Sequence, residues 1–385
     1  MKKRIVILGS TGSIGRSTLE IIKKNKKNFD IVLLTGFSNY KRLINQAKEF
    51  NAKNVIVYNK KFYLRVKKSL NKTKTNVYSS NIPIKNIISK KVDYAMSAIV
   101  GLAGLQPTIN IMKLTKTLAI ANKETIICGW EILSNLKKKY KTNILPVDSE
   151  HFSIYELTKN VSNNEIEEII ITASGGPFLN TSLNRLHNVK PHQAINHPNW
   201  NMGKKISIDS ANLMNKFFEV IEAHKLFNFD KKKYKIMIHP QSLVHSIIRF
   251  KNGLVKMILY NTDMKIPISN TLVDKKNKIF NFSKINSKIL NKLTFQEVDL
   301  KKFPSMKLIN QCSHFSNSTC IMINAANEVL VNLFLSKKID FLDIVGTINK
   351  IFKDKEFTKY AKRKANTIKA IKKIDNWARL KAMNL

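Results

Sequence analysis

Along the first 147 residues, short apolar runs recur between longer polar stretches of helical length, at positions 5–8, 31–34, 54–57, 94–98, 117–121 and 143–145. Each run is too short for a buried helix, and turn-forming residues bound most of them. The alternation predicts a doubly wound parallel sheet with helices on both faces. Residues 148–275 lose that rhythm. A helix is predicted over 152–158 and strands over 166–172, 235–239 and 254–259, joined by long loops rich in Gly, Pro, Asn and His. This reads as a central α+β domain whose loops carry the chemistry. Residues 276–302 are rich in Lys, Asn and Ser with weak periodicity and read as a linker. From 303 to 385 the period is helical, with one helix opening at Asn324-Ala325-Ala326-Asn327-Glu328 and another covering 342–352, so a helical bundle closes the chain.

Length and charge refine this picture. A chain of 385 residues exceeds what one core sustains, roughly 250–300 residues, so more than one domain is expected. Lys and Arg number 67 against 26 Asp and Glu, a formal charge of +41 that raises nucleic acid, an anionic membrane or an acidic protein as partners. The distribution argues against all three. Lysines recur in nearly every polar stretch, among them Lys2-Lys3, 23–27, 137–139, 231–233 and Lys372-Lys373, without forming one stripe or joining an aromatic-basic module. They read as solvated surface, with no specific nucleic-acid partner. Cys128, Cys312 and Cys320 are odd in number and lack metal-ligand spacing, which fits reduced thiols in a cytosol. Met1 to Arg4 lead directly into the first strand, and no apolar run looks long enough to span a bilayer. A cytoplasmic protein with no membrane partner is the expectation.

Gly9-Ser10-Thr11-Gly12-Ser13-Ile14-Gly15 follows the first strand and opens a helix running to about Ile22. In that context glycines let backbone amides and a helix N-terminus meet a pyrophosphate, the arrangement of a Rossmann-like domain. A glycine-rich turn without nucleotide remains the alternative. After the second strand the chain reads Gly36-Phe37-Ser38-Asn39, with no carboxylate for a ribose diol. Ser38, Asn39 and neighbouring Lys41 or Arg42 suit a 2′-phosphate instead, which favours NADPH over NADH. Ala121-Asn122-Lys123-Glu124 ends a later strand, where α/β folds bind ligands, and Asn122 equally suits a helix N-cap.

Asp148-Ser149-Glu150-His151 follows the last strand of the domain. On extended chain Asp148 and Glu150 share a face and can grip one divalent cation, though carboxylates here also serve as solvated loop residues or helix caps. Ser174-Gly175-Gly176-Pro177-Phe178 offers a hydroxyl with flexible amides, an anion nest or a simple tight turn. His197-Pro198-Asn199-Trp200-Asn201-Met202-Gly203 places Trp in a polar loop, which suits a lid over substrate or a Trp tucked into the core. In the stretch from Asp209 to Glu219, Ser210, Asn215, Lys216 and Glu219 approach one point if the helix start is irregular. Ser, Asn and Lys then suit a phosphate and Glu a metal, while an ordinary surface helix is the other reading.

Taken together, GSTGSIG (9–15), AIVGLAGLQPT (98–108), ANKET (121–125), PVDSEH (146–151), SGGPF (174–178), HPNWNMGKKISIDSA (197–211), MNKFFEVIEA (214–223) and IHPQS (238–242) closely resemble the 1-deoxy-D-xylulose 5-phosphate reductoisomerases. The likeness spans nearly the whole chain. It implies a homodimer that uses NADPH and Mg²⁺, Mn²⁺ or Co²⁺ to turn a small phosphorylated sugar, 1-deoxy-D-xylulose 5-phosphate, into 2-C-methyl-D-erythritol 4-phosphate for isoprenoid synthesis. By motif it implies Asp148, Glu150 and Glu219 as metal ligands. Ser149, Ser174, His197, Ser210, Asn215 and Lys216 match substrate residues, shared with the ligands Glu150 and Glu219. Thr11, Gly12, Ser13, Ile14, Asn39, Asn122, Lys123, Glu124 and Gly203 match cofactor contacts, with Ser38 beside them, and Trp200 and Met202 match the lid. Lys123 and Glu124 join the three metal ligands as catalytic candidates. The route implied is retro-aldol cleavage, aldol re-formation and reduction of the resulting aldehyde.

Three positions depart from the family pattern. Phe37 and Phe217 stand where glycine is usual, and Asn212 where threonine is usual. A lost glycine of positive φ beside Lys216 would distort the turn. Two rival readings keep the scaffold: another NADPH-dependent two-domain reductase, such as a homoserine dehydrogenase, and a basic binding protein that has lost catalysis.

Overall fold

The structure, a computed structural model, describes residues 1–273, 282–311 and 316–385. Part of the expected linker, 276–281, and Cys312 lie outside the described residues. The chain divides into two compact units, the first made of Met1–Thr125, Ile132–Phe152 and Asp263–Phe282, the second of Ile126–Glu131, Ser153–Thr262 and Ser283–Leu385.

In the first unit, strands β1 (Lys3–Leu8), β2 (Phe29–Gly36), β3 (Asn54–Val57), β4 (Asn76–Ser79), β5 (Val92–Ser97), β6 (Thr115–Ile120) and β7 (Asn143–Pro146) form one sheet in the order β4-β3-β2-β1-β5-β6-β7. Every pairing is parallel. Helices cover both faces of such a sheet, which is why the inner strands read as continuous apolar runs. Six of the seven strands are the expected ones. β4 was not foreseen, because Asn76-Val77-Tyr78-Ser79 lies half exposed on the sheet edge and carries no apolar run.

The order reverses beside β1, since the chain steps outward through β2 to β4 and then returns to place β5 against β1. The loops after β1 and β5 therefore meet at the carboxyl edge, the crevice where open α/β sheets bind ligands. Glycine is required there. A Cβ on Gly9, whose φ is +81°, would lie 2.7 Å from the Ala98 carbonyl oxygen, and one on Gly15 would lie 2.4 Å from the Gly9 oxygen.

The first unit also takes in a segment expected in the central domain. Helix Lys265–Leu272 sends Ile268 and Leu272 into the core of the parallel sheet. Tyr94 and Thr271 hydroxyls bond at 2.9 Å, Lys3 Nζ donates to the Leu272 carbonyl at 2.8 Å, and Lys265 pairs with Glu20 at 2.7 Å. Residues 263–273 thus depart from the expected 148–275 grouping.

The second unit holds a four-stranded sheet in the order β11-β10-β8-β9, with β8 (Ile166–Ala173), β9 (Tyr234–Ile238), β10 (Val244–Phe250) and β11 (Val255–Leu259). β8 and β9 run parallel and the other pairs antiparallel. The central strand β10 was not foreseen. His245, Ser246 and Arg249 interrupt its apolar pattern, yet all of it but Arg249 is buried. The central and C-terminal parts, expected as separate domains, share this unit.

Two helical expectations change. Asn324 to Glu328 lie in the middle of helix Asn317–Leu335, which Ser316 starts by accepting the Thr319 amide. That helix is also long and apolar enough to cross a membrane, contrary to the sequence reading, but 78 % of its apolar window is buried within the protein. Such burial marks the core helix of a folded unit.

Replacing Gly15 with alanine places a methyl group against backbone atoms that no rotamer change can move aside. Gly15→Ala is expected to cost about 2–3 kcal/mol of stability in denaturant titrations. An unfolding curve superimposable on that of the parent protein would refute the close packing.

Candidate functional site

The first unit carries the glycine loop. Helix Ser13–Lys24 begins at Gly12 without a side-chain cap, so its opening amides are left for an anion, and Thr11 and Ser13 stand beside them. β2 ends at Gly36, and Phe37, Ser38 and Asn39 are exposed beyond it. Asn39 uses its carbonyl oxygen to cap the next helix by accepting the Arg42 amide at 3.1 Å, and Lys41 and Arg42 are exposed. Asn122 is more constrained than the cofactor reading implied. Its oxygen accepts the Thr125 amide at 2.6 Å and its amide group donates to the Ile99 and Gly101 carbonyls, so it caps helix Lys123–Tyr140 and pins the loop after β5.

That cap aims the first residues of the helix. Lys123 Nζ reaches Asp148 Oδ2 at 2.5 Å, and Glu124 is buried. Asp148 ends the segment after β7, immediately before helix Ser149–Leu157. Its Oδ1 accepts the Glu150 amide at 3.3 Å and lies 3.3 Å from His151 Nδ1, and Ser149 donates to Glu150 Oε2. The cap reading holds, and the chain here is a helix start rather than the extended segment expected. Asp148 caps the helix and still presents a carboxylate beside that of Glu150.

In the second unit, five of the named substrate residues share one corner. Ser174 follows β8, and the left-handed Gly175 and Gly176 turn the chain sharply, with φ of +81° and +67°. A Cβ on Gly176 would lie 2.8 Å from Ala211 Cα and 2.9 Å from the Ser210 carbonyl oxygen, so only glycine lets this turn meet Ser210. Helix Lys204–Ala211 then stops, Leu213 adopts φ +60°, and helix Met214–Phe227 starts in a new direction. The break is the irregular start that the clustering of Ser210 with Asn215 and Lys216 requires. Lys216 is buried and pairs with Glu219 at 2.6 Å, and Asn215 donates to the other Glu219 oxygen at 2.5 Å.

His197 organises the neighbouring loop. Its Nδ1 accepts the amides of Asn199 and Trp200, each at 3.1 Å, and its Nε2 lies 2.9 Å from Ser174 Oγ. A ring nitrogen that accepts two amides carries no proton, so in the neutral ring the proton sits on Nε2 and is donated to Ser174. Ser174 Oγ also accepts the Gly176 amide at 3.0 Å, which leaves its own hydrogen to donate outward. Burial, reinforced by the Lys216 charge, pushes the His197 pKa down to about 4. The loop beyond is half-buried: the Trp200 ring meets His245 edge-on at 6.1 Å, Met202 is half-buried and Gly203 exposed.

Two further histidines hold local structure. His239 bonds the Thr294 carbonyl and accepts the Leu243 amide, fixing the turn after β9, and His245 stacks on Tyr260 at 3.9 Å. Sequence reasoning missed Asn199, whose amide group donates to Ser242 at 2.9 Å and to the Pro240 carbonyl, tying this loop to that turn. Asn after Pro in a polar loop was its only signal.

Comparison with known proteins covers nearly the whole chain. Family models described as 1-deoxy-D-xylulose 5-phosphate reductoisomerase, its C-terminal domain, and DXP reductoisomerase C-terminal domain match residues 5–129, 144–227 and 259–381. A 1-deoxy-D-xylulose 5-phosphate reductoisomerase of Pelagibacter ubique is 47 % identical over 385 residues, covering 100 % of this chain and 99 % of the relative. The solved enzyme of Zymomonas mobilis in complex with NADPH superposes with a TM-score of 0.91 at 34 % identity, covering 100 % of this chain and 99 % of its own. A DOX-P reductoisomerase in complex with NADPH, fosmidomycin and magnesium gives 0.92 at 33 % identity, covering 99 % and 98 %.

The depressed His197 pKa fixes a measurable titration. The unfolded imidazole protonates near 6.5 and the folded one near 4, so the stability that neutral His197 contributes is complete above about 6.5 and declines as pH falls toward 4. NMR of the labelled ring is expected to show a neutral, Nε2-protonated imidazole at pH 6 with a midpoint near 4. A midpoint near 6.5 would contradict the arrangement.

Proposed function

The chain belongs to the 1-deoxy-D-xylulose 5-phosphate reductoisomerase family, and from that premise we propose which of its residues perform the reaction. The protein is an NADPH- and divalent-metal-dependent oxidoreductase that converts 1-deoxy-D-xylulose 5-phosphate to 2-C-methyl-D-erythritol 4-phosphate. The observation that carries the assignment of roles is the corner in which Ser174, Ser210, Asn215 and Lys216 gather hydroxyl, amide and ammonium groups, with His197 holding Ser174, a set suited to a phosphate dianion.

Asp148, Glu150 and Glu219 are the proposed metal ligands, with Mg²⁺, Mn²⁺ or Co²⁺ as the ion. The donor chemistry fits, since carboxylate oxygens suit hard divalent ions, and the surroundings fit as well. Lys123 holds Asp148, Ser149 holds Glu150, and Asn215 with Lys216 hold Glu219, so each carboxylate is oriented before an ion arrives. A bound dication supplies Lewis acidity to the substrate's oxygens. In the proposed retro-aldol and aldol sequence one carbon–carbon bond would break and another form, and bound NADPH would supply the hydride that, with a proton from solvent or a site acid, reduces the resulting aldehyde to the alcohol. Lys123, 2.5 Å from Asp148, steadies that carboxylate's charge, and buried Glu124, the next residue of the same helix, is the proposed partner in proton movement.

The proposed NADPH contacts are the amides and hydroxyls of Thr11, Gly12, Ser13 and Ile14 at the pyrophosphate, Ser38 and Asn39 near the 2′-phosphate, and Asn122 and Gly203. Asn122 acts here by fixing the loop after β5, because its own polar atoms are already engaged. Trp200 and Met202 form the proposed lid, anchored at one end by Asn199 and His197. Closure excludes water and keeps the reactive fragments together.

We further propose a cytoplasmic homodimer. β11 is an edge strand with Val255 and Met257 exposed and Leu254 exposed just before it, an open apolar edge that soluble proteins ordinarily cover. Buried free thiols at Cys128 and Cys320 support a reducing compartment.

Purified protein is expected to oxidise NADPH only with 1-deoxy-D-xylulose 5-phosphate and a divalent ion, and chelator should abolish the rate. Glu150→Gln is expected to lower kcat/KM at least about 10²-fold while NADPH binding stays near that of the parent. Turnover that survives both chelator and this variant would sink the metal assignment. Light scattering should give twice the chain mass, and Met257→Glu should shift it toward monomer; a parent protein that is monomeric at micromolar concentration removes the dimer.

A further inference from the structure

The phosphate corner depends on a break between two helices, and that break is held by residues with no role assigned so far. Ser210 lies before it, Asn215 and Lys216 after it, and Leu213 at its centre occupies the left-handed region at φ +60° although it is fully buried. A β-carbon makes this conformation unfavourable, so surrounding contacts must impose it. Three contacts do so. Asn212 Oδ1 accepts the Met214 amide at 3.0 Å, which caps the second helix from beyond its own first residue. Ser305 Oγ donates to the Asn212 main-chain carbonyl at 2.5 Å from a segment far along the chain. On the other side, Asn327 Nδ2 donates to Asp209 Oδ1 at 2.8 Å, and Asp209 also pairs with Lys205 at 2.7 Å. Asp209, Asn212, Leu213, Met214, Ser305 and Asn327 are all at least nine-tenths buried.

We propose that Asn212, Ser305 and Asn327 are positioning residues that hold the Leu213 break so that Ser210 on one helix and Asn215 and Lys216 on the next address the same substrate phosphate. This rests on the reading of that corner as the phosphate site. The position of Asn327 within helix Asn317–Leu335 explains why a polar residue is spent in an apolar core helix. Only one atom of the Asn212 side chain matters, since its amide nitrogen finds no partner among the described residues. A threonine hydroxyl can therefore take over the cap, which makes Asn212→Thr a rescue variant.

The test compares Asn212→Ala, Ser305→Ala and Asn212→Thr with the parent on 1-deoxy-D-xylulose 5-phosphate and on phosphate-free 1-deoxy-D-xylulose. Both alanine variants are expected to raise KM for the phosphorylated substrate about tenfold or more, with kcat changed less than about threefold and KM for NADPH unchanged. Their activity on the phosphate-free sugar should match the parent, and Asn212→Thr should recover the parental KM within about twofold. Equal losses on both sugars would mean a loosened fold, and an unchanged KM would mean the break holds without these residues; either overturns the proposal. Should the parent itself fail to turn over the phosphorylated sugar, the functional reading falls separately. Calorimetry with inorganic phosphate then decides the positioning, weaker binding in both alanine variants supporting it and equal binding overturning it.

Discussion

The buried ammonium of Lys216 sets the terms for its surroundings. Removing such a charge from water costs several kcal/mol unless a partner compensates, and Glu219 at 2.6 Å is that partner, three residues on along the same helix. The pair leaves a cation at the edge of the corner, and with burial it keeps His197 neutral. Neutral His197 can accept the Asn199 and Trp200 amides, so the loop carrying Trp200 is shaped by a proton that is absent. The same tautomer donates to Ser174 and frees the Ser174 hydrogen for an incoming anion. The loop conformation thus depends first on the burial of His197 and second on the neighbouring Lys216 charge.

Much of the first unit was legible because parallel strands buried on both faces write themselves as apolar runs. What escaped detection lacked that signature. β4 is a polar edge, β10 is interrupted by polar residues that are nonetheless buried, and the return of 263–273 depends on Ile268 and Leu272 finding a distant core. The start of helix Asn317–Leu335 was misplaced because Asn and Glu in its middle resemble a cap, whereas Ser316 performs that task. The candidate residues were legible by motif, but their arrangement was not. No periodicity announces a left-handed leucine, and nothing local links Ser305 to the carbonyl of Asn212.

The charge excess also takes a physical form. With 67 cationic residues against 26 carboxylates, most lysines cannot find an acidic partner within the chain. Several of the less exposed ones end on main-chain carbonyls instead. Lys225 donates to the Ile127 carbonyl, Lys233 to those of Asn163 and Ile166, and Lys302 to that of Leu179. Asn163 and Leu179 lie in turns, so these bonds satisfy carbonyls outside regular structure, while those to Ile127 and Ile166 reach a helix and a strand end. Carboxylates are scarce by comparison, and sheltered ones such as Asp209 and Glu219 are paired with lysines.

That economy bears on the two aromatic departures from the family pattern. Phe217 sits beside Lys216 at a position where a strained turn would have been fatal, yet it lies inside helix Met214–Phe227 with ordinary helical geometry, is fully buried, and packs edge-on against Phe218 at 5.4 Å. The left-handed residue is Leu213, four positions earlier, so the usual glycine at 217 was never needed for its φ. A large ring there adds apolar burial to the core of this helix. Phe37 is different in kind. It is 62 % exposed after β2, and two residues on, Asn39 still caps the next helix by accepting the Arg42 amide. The first substitution is absorbed into a helix core, and the second stays on the surface.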